Sequence, residues 1–441
     1  MKDMTQGGIT KHFIGFALPL ILGNFFQLTY NAVDSIILGR WAGTESLAAA
    51  GTANPIMNIM IFFIVGISWG AGVLISEFYG AKDFAKLKRE ISTTLSVGFA
   101  FTLTVSILCF VFTQPLLRLV RTPEQLIAPA AHYLRIVFAG LLFTFFYNMF
   151  AATLRAVGDS RIPIVCVAVS AVCNGLLDFV LVALWGLGIT GAAVATVTAQ
   201  ALSALLCIGY VYRRERQVAV YPRDFRFDSS LLGRTVNYSL AAAMQQTVLY
   251  VGKLVVQGAV NPLGVDSIAA FNAGTKIDDF AFQPTQSIGQ AMTTFTAQNR
   301  GAGKQLRMQQ GLRRGLVLSI VYGLAIGAAV ALLRGRLMWL FAGKDGASVL
   351  DLGSSYLLVM ASLYIMPALT NALQGFVRGL GIMLLTVAST TVQMLSRAVF
   401  ALLLAPDYGI AGVAAACGLG WAAMLLFETP FIARLYRRLR S

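Results

Sequence analysis

Long apolar runs broken by short polar stretches account for nearly the whole chain. They fall at about 13–39, 47–76, 91–117, 126–153, 162–185, 187–212, 231–260, 267–295, 312–333, 352–374, 382–405 and 409–433. Roughly 20 mainly apolar residues cross a bilayer as a helix, so each run is long enough to span. The pattern predicts an all-α polytopic membrane protein of twelve transmembrane helices. The longest polar stretch, YRRERQVAVYPRDFRFDSSLLGR at 212–234, separates the sixth run from the seventh. It divides the chain into an N-terminal lobe (1–212), a linker (213–230) and a C-terminal lobe (231–441).

The two halves resemble each other. ESLAA at 45–49 recurs as DSIAA at 266–270, Gly80-Ala81 as Gly301-Ala302, and GITG at 188–191 as GIAG at 409–412, all 221 residues apart. Tyr133-Leu134, Asn148, Arg155 and Gly158 recur as Tyr356-Leu357, Asn371, Arg378 and Gly381 at an offset of 223. An even number of spans per repeat starts both on the same side of the membrane. Two pseudo-symmetric six-helix bundles, parallel repeats about an axis along the membrane normal, are therefore expected around a central cavity, with the substrate site near the midplane.

Composition strengthens this picture: 57% of residues are hydrophobic and 12% charged, against about 25% charged in a soluble domain. The net charge of +15 does not indicate a nucleic-acid partner, because Lys and Arg punctuate apolar runs instead of forming a basic surface. The two tails and the even-numbered connections hold 24 of them, the odd-numbered connections 6 and the spans 4. Positive residues stay on the cytoplasmic side, which places both termini and the linker there in a multi-pass protein of the cell (inner or plasma) membrane. The first run is too long for a signal peptide and lacks a small-residue cleavage site, so it is expected to remain in the protein. Cys109, Cys166, Cys173, Cys207 and Cys417 sit inside apolar runs without metal or disulfide spacing and read as packing residues.

Against this apolar background the acids stand out. Asp34, in YNAVDSIILGR, is the sole charged residue between Lys11 and Arg40. A carboxylate inside a span must face protein or water, and such residues mark ion or substrate paths. Asn174 and Asp178, four apart, share one helix face. Local alternatives are a carboxylate reaching the interface beside Arg40 for Asp34, and capping for Asp178. Two carboxylates in one dry pocket cannot both stay charged cheaply, so a proton would be shared, although the same hard oxygens also suit Na+.

Several stretches carry a family resemblance: TQGGITKHFIGFALPLILGNFFQLTYNAVDSIILGRWAGTESLAAAG, SEFYGAKDFAKLKR, LRAVGDSRIPI, CNGLLDFVLVALWGLGITGAAVATVTAQ and FTAQNRGAGK. In this order, over nearly the whole chain, they resemble the multidrug and toxic compound extrusion (MATE) family of secondary transporters. The resemblance implies export of amphipathic, often cationic small molecules in exchange for inward H+ or Na+, by a working monomer that alternates between outward-open and inward-open states. It implies an ion-coupling site in the N-terminal lobe made of Asp34, Asn174, Asp178 and Thr196, and a proline in helix 1, here Pro19, where bending accompanies protonation. No resident cofactor is implied.

The second half lacks that acidic site, since the offsets carry Asp34 to Val255 and Asp178 to Val399 or Ala401. Span 8 instead carries KIDDFAFQP, whose adjacent Asp278 and Asp279 point about 100 degrees apart on a helix. One is expected to attract cationic substrates while the other pairs with Lys276 or Lys253; a purely structural ion-pair cluster is the alternative. Gln27, Tyr30, Phe146 and Asn148 in the first half are candidate cavity residues. Gln245, Phe282, Gln283 and Asn371 are candidates in the second, and aromatic faces among them suit flat cations. Arg135 and Arg397 read as partners of buried acids or carbonyls.

Other classes are poorly equipped. A membrane-embedded enzyme would need a nucleophile or metal cluster, yet the two histidines, His12 and His132, lie near span ends in no metal-binding spacing. No phosphate-binding loop signature supports ATP-driven export. A lipid-linked oligosaccharide flippase of the same superfamily would want a basic cavity for pyrophosphate, where this chain supplies aspartates. An ion channel fits the two-lobe repeat less well.

Overall fold

In the computed structural model, which describes residues 3–342 and 346–439, the chain is helical almost throughout. The helices are α1 Ile9–Trp41, α2 Gly43–Gly80, α3 Phe84–Val111, α4 Thr113–Leu119, α5 Glu124–Ala139, α6 Leu141–Ala156 and α7 Arg161–Asp178. They continue with α8 Gly188–Arg214, α9 Ser229–Val260, α10 Val265–Gly301, α11 Gln305–Ala342, α12 Ala347–Leu363, α13 Ile365–Gly379 and α14 Met383–Arg438. A π-helical stretch, Phe179–Leu184, prolongs α7. Seven helices are long and apolar enough to cross a membrane, and the bent pairs α5–α6 and α12–α13, at 45° and 47°, bring the number to nine. Helix α14 is two spans broken at Gly409, and α9 and α10, 32 and 37 residues long, are spans with more polar positions. The twelve runs of the sequence are thus the twelve spans.

The repeat is also visible in the backbone. Positive φ angles recur at matched positions: Gly43 and Gly264 (84° and 94°), Gly158 and Gly381 (84° and 75°), Gly188 and Gly409 (54° and 56°). A left-handed backbone costs an L-residue about 1–2 kcal/mol, so the two halves place glycine where the chain must turn the same way.

Contacts divide the chain into two compact units: residues 1–3 with 19–243, and residues 4–18 with 244–441. The boundaries drawn from the sequence, 1–212 and 231–441, follow chain connectivity; the packing differs from them in two places. The start of α1, up to Leu18, packs with the second unit, and the start of α9, up to Ala243, packs with the first. The linker is docked, not free. Val218, Ala219 and Val220 are buried in the first unit's apolar core, the Tyr212 hydroxyl donates to the Val220 carbonyl at 2.7 Å, and Lys88 pairs with Asp224 at 2.8 Å. Those contacts, and the Asp228 N–H donating to Thr93 Oγ1 at 3.0 Å, give 215–228 a fixed course along α3 and α8.

Within the first unit, Gly66 and Gly70 of α2 face Ala243 and Ser239 of α9. A methyl group added at Gly66 would lie 2.7 Å from the Ala243 backbone nitrogen, and one at Gly70 would meet the Ser239 backbone. The Ser239 hydroxyl donates to the Ile67 carbonyl at 3.2 Å. Small residues four apart let two helices approach in lipid, where dispersion and hydrogen bonds must supply the attraction. Gly66→Val is expected to lower stability by about 1–3 kcal/mol, the usual cost of overpacking. Thermal unfolding in detergent measures this, and an unchanged midpoint would contradict the contact.

At the start of α3, Asp83 caps the helix by accepting from Lys86 N at 2.9 Å, with the Lys86 ammonium 3.3 Å away. The backbone N–H of Lys86, with help from its charge, holds the Asp83 carboxyl below its ordinary value. A depressed folded value means that the cap contributes above the unfolded value and is lost as pH falls through the folded one. Asp83→Ala should therefore cost about 0.5–2 kcal/mol at neutral pH. The difference from the parent should vanish in acid, as pH-dependent unfolding would reveal.

Candidate functional site

The site is built inside the first unit from α1, α7 with its π-helical extension, and α8. Helix α1 closes on α7 at Gly23, where an added methyl would lie 2.7 Å from Ile164 Cγ1. Further along the same two helices, the carboxyl groups of Asp34 and Asp178 face each other within hydrogen-bonding reach. Asn174 and Asp178 are fully buried, and Asp34 is half-buried. Among the described residues, Asp34 Oδ1, both Asp178 oxygens and both polar atoms of the Asn174 amide accept or donate no hydrogen bond. Two carboxylates are both acceptors, so the pair is joined only when one of them carries a proton.

Ser170, one turn before Asn174, is also buried with its hydroxyl unpartnered. Ser170, Asn174 and Asp178 thus form a polar ladder at i, i+4 and i+8 on α7. The sequence reading named the last two and passed over the serine, though the spacing was there to be read.

Thr196 belongs to the same layer by register. Ile37 and Leu38 of α1, Val182 of the π-helical stretch and Ala192 of α8 pack as one buried apolar cluster. Asp34, Asp178 and Thr196 each lie four residues from Leu38, Val182 and Ala192, all displaced toward the same end of the bundle. By register the three polar positions fall about one turn to the same side of that apolar cluster. Nearby, Trp41 packs edge-on against Phe179 with ring centroids 6.0 Å apart. Pro19 is interior to α1, fifteen residues before Asp34, where its missing N–H removes one helical hydrogen bond.

The remaining candidates are dispersed. Gln27 is exposed on α1, and Tyr30 lies in α1 with its side chain outside the described residues. The repeat-related Asn148 and Asn371 behave alike: each amide donates to the carbonyl four residues earlier, Thr144 and Pro367, at 2.8 Å. Phe146 packs at a tilt against Phe99 and Phe145. Gln245 is buried and spends its amide on Gln374 and Thr390, inside a polar network and not on an open wall. Phe282 packs edge-on against Tyr364 and Trp421, and Gln283 is half-buried beside it on α10.

Asp278 and Asp279 part company, as the helical angle between them predicts. Asp279 faces outward and pairs with Lys253 at 3.4 Å, an exposed ion pair. Asp278 is 3% exposed and accepts from the Tyr364 hydroxyl at 2.6 Å and the Tyr356 hydroxyl at 2.7 Å, one on each oxygen. Each of its oxygens thus holds a tyrosine hydroxyl, and the reach of the two tyrosines across the helices was not legible in one dimension. Among the described residues no three His, Cys, Asp or Glu gather as a metal site.

Comparison with known proteins agrees with this architecture. The MatE family model matches twice, at residues 19–180 and 241–403, once per repeat. The chain is 29% identical over 442 residues to the probable multidrug resistance protein YpnP of Bacillus subtilis, covering 99% of this chain and 96% of that protein. It is 31% identical over 315 residues to the probable multidrug resistance protein YoeA of the same organism, covering 70% and 68%. Among solved structures, an outward-facing multidrug resistance MATE family transporter of the MOP superfamily superposes with a TM-score of 0.92 at 20% identity, covering 100% of this chain and 98% of that one. With both repeats matched by the family model and the fold shared throughout, the chain belongs to the MATE family of multi-pass membrane transporters, whose members carry solutes and are not enzymes.

Proposed function

We propose that this protein exports amphipathic, mainly cationic small molecules, driven by protons that return through the Asp34–Asp178 pair. The observation that carries the reading is a fully buried Asp178 facing a half-buried Asp34 in an apolar bundle, with Asp34 Oδ1 and both Asp178 oxygens receiving no hydrogen bond from the rest of the described protein. Such a pair is costly when both groups are charged and is relieved by one proton between them. Asn174, Ser170 and Thr196 supply neutral oxygens around it, so Na+ is the competing occupant.

The proton's arrival and departure would move α1. Protonated, the pair is a hydrogen bond that draws α1 onto α7; deprotonated, it is a repulsion that the plug of Ile37, Leu38, Val182 and Ala192 must resist. Pro19 is where α1 lacks a backbone hydrogen bond, so residues 19–41 can respond as one piece. Shifting that piece would change the space available to a substrate in the first unit. The excess of Lys and Arg in the tails and even-numbered connections supports cytoplasmic termini, with the plug on the outer side of the pair. The relatives named as multidrug resistance proteins support small-molecule substrates.

The test is efflux of a fluorescent cation from proteoliposomes under an imposed pH or Na+ gradient. A pH gradient should drive efflux, and Asp34→Asn or Asp178→Asn should reduce it at least about tenfold, the consequence of removing a required protonation step. Efflux driven by Na+ alone, or full activity in both variants, would overturn the proton reading.

Stability gives an independent check. In alkaline buffer Asp178→Asn should stabilise the protein by about 1–3 kcal/mol, because the amide replaces a repelling carboxylate and can donate to Asp34. The gain should shrink in acid, where the parent pair already shares a proton. Destabilisation at alkaline pH would argue against two facing carboxylates.

A further inference from the structure

Glu428 lies in the second unit, on the last span of α14, and was not singled out by its sequence context. It is 1% exposed, and its Oε1 has no hydrogen-bond partner among the described residues. Around it is a buried polar network. Gln374 of α13 donates to Ser389 Oγ at 2.9 Å, and Gln245 of α9 donates to Thr390 Oγ1 at 3.1 Å and to Gln374 Oε1. Gln374 and Ser389 also reach the glutamate, and the one charged group that acts on it is the Arg378 guanidinium, from α13. Helix α9 and the first span of α14 present only neutral groups to this network.

The first repeat shows what the same layer looks like without an acid. At the repeat offsets, Arg378 corresponds to Arg155, Ser389 to Cys166 and Glu428 to Cys207. There Arg155 lies against the Tyr147 hydroxyl and Cys207, and the two thiols are within hydrogen-bonding reach of each other. A buried arginine at this place therefore needs no carboxylate beside it to be accommodated. The glutamate is an addition to the fold's requirements, and one of its oxygens is left unpartnered.

We propose that Glu428 is a second proton-binding site of the transport cycle, seated in the C-terminal repeat. The proton binds Oε1, converting the carboxylate to a neutral acid, and leaves as H+ when Arg378 draws the anion back. A proton suits the place better than a metal cation, because the guanidinium beside it repels any cation that cannot neutralise the carboxylate by covalent attachment. The proposal rests on the antiport reading above and extends it to a second site.

Carbodiimide labelling of the intact parent protein in lipid tests the protonation directly. A hydrophobic carbodiimide attacks protonated carboxyls, so the peptide containing Glu428 should be modified in mildly acidic buffer and spared in alkaline buffer, by mass spectrometry. Labelling of Glu428 that is absent, or equal at every pH, would overturn the proposal. Proton release on binding a fluorescent cation in detergent supplies the second readout. Glu428→Gln should release about one proton fewer per substrate than the parent, the count that linkage assigns to a lost titrating group, while Glu428→Asp should retain it. The same release and pH profile in Glu428→Gln as in the parent would mean a structural role only. Should Glu428→Gln fail to fold, labelling of the parent still decides the matter. A parent that moves no cation under a pH gradient would fail the antiport reading instead, and labelling would separate the two failures.

Discussion

Two carboxyl groups facing each other in an apolar bundle, three of their four oxygens without a donor among the described residues, constrain everything around them. Buried polar atoms in folded proteins are nearly always bonded, and leaving one unsatisfied costs about 1–3 kcal/mol. The first unit tolerates several at once: Asp34, Asn174, Asp178 and Ser170 all hold polar atoms without partners. They lie side by side because α1 and α7 close on each other at Gly23, where a larger residue would strike Ile164. An apolar cluster of Ile37, Leu38, Val182 and Ala192 packs about one turn away.

The second unit solves the same problem the opposite way. Asp278 is as buried as Asp178, yet each of its oxygens receives a tyrosine hydroxyl, and Arg397 of α14 lies near enough to act on it. Tyr364 sits at the break between α12 and α13, so the acid also ties down a bend. The chain can therefore satisfy a buried aspartate when its role is to hold helices together. That Asp34 Oδ1 and both Asp178 oxygens are not satisfied is a property of their place, and it sets them apart from this bracing acid.

Much of this was legible in the sequence because membrane spans write their boundaries in hydropathy and the repeats write theirs in glycine. The runs, the paired offsets and the spacing of Asn174 and Asp178 all depend on residues near in sequence or on one helix face. What stayed hidden depends on contacts between distant residues. Nothing near Asp278 announces Tyr356 and Tyr364, 78 and 86 positions away. Gln245 looked like a cavity amide until Gln374 and Thr390 were found on it. Glu428, seven positions after Trp421 in a run of mixed aromatic and aliphatic residues, carried no local sign that a polar network lay opposite. The exchange of the first turns of α1 and α9 between units is likewise a matter of packing, which connectivity does not encode.

That exchange is where the two repeats differ in a way that matters for movement. Helix α1 passes from one unit to the other at Leu18–Pro19, and α9 makes the corresponding passage at Ala243–Met244. The first crossing has a proline and a missing backbone hydrogen bond. The second has none, and its Ala243 is seated against Gly66, too close for any larger side chain. The acid follows the same division, with Asp34 on α1 and Val255 at the matching position of α9. A charge that comes and goes can do mechanical work only on a helix free to yield. In the first repeat the buried-pair carboxylate and the weak point in the backbone lie on one helix, α1, and α9 of the second repeat has neither.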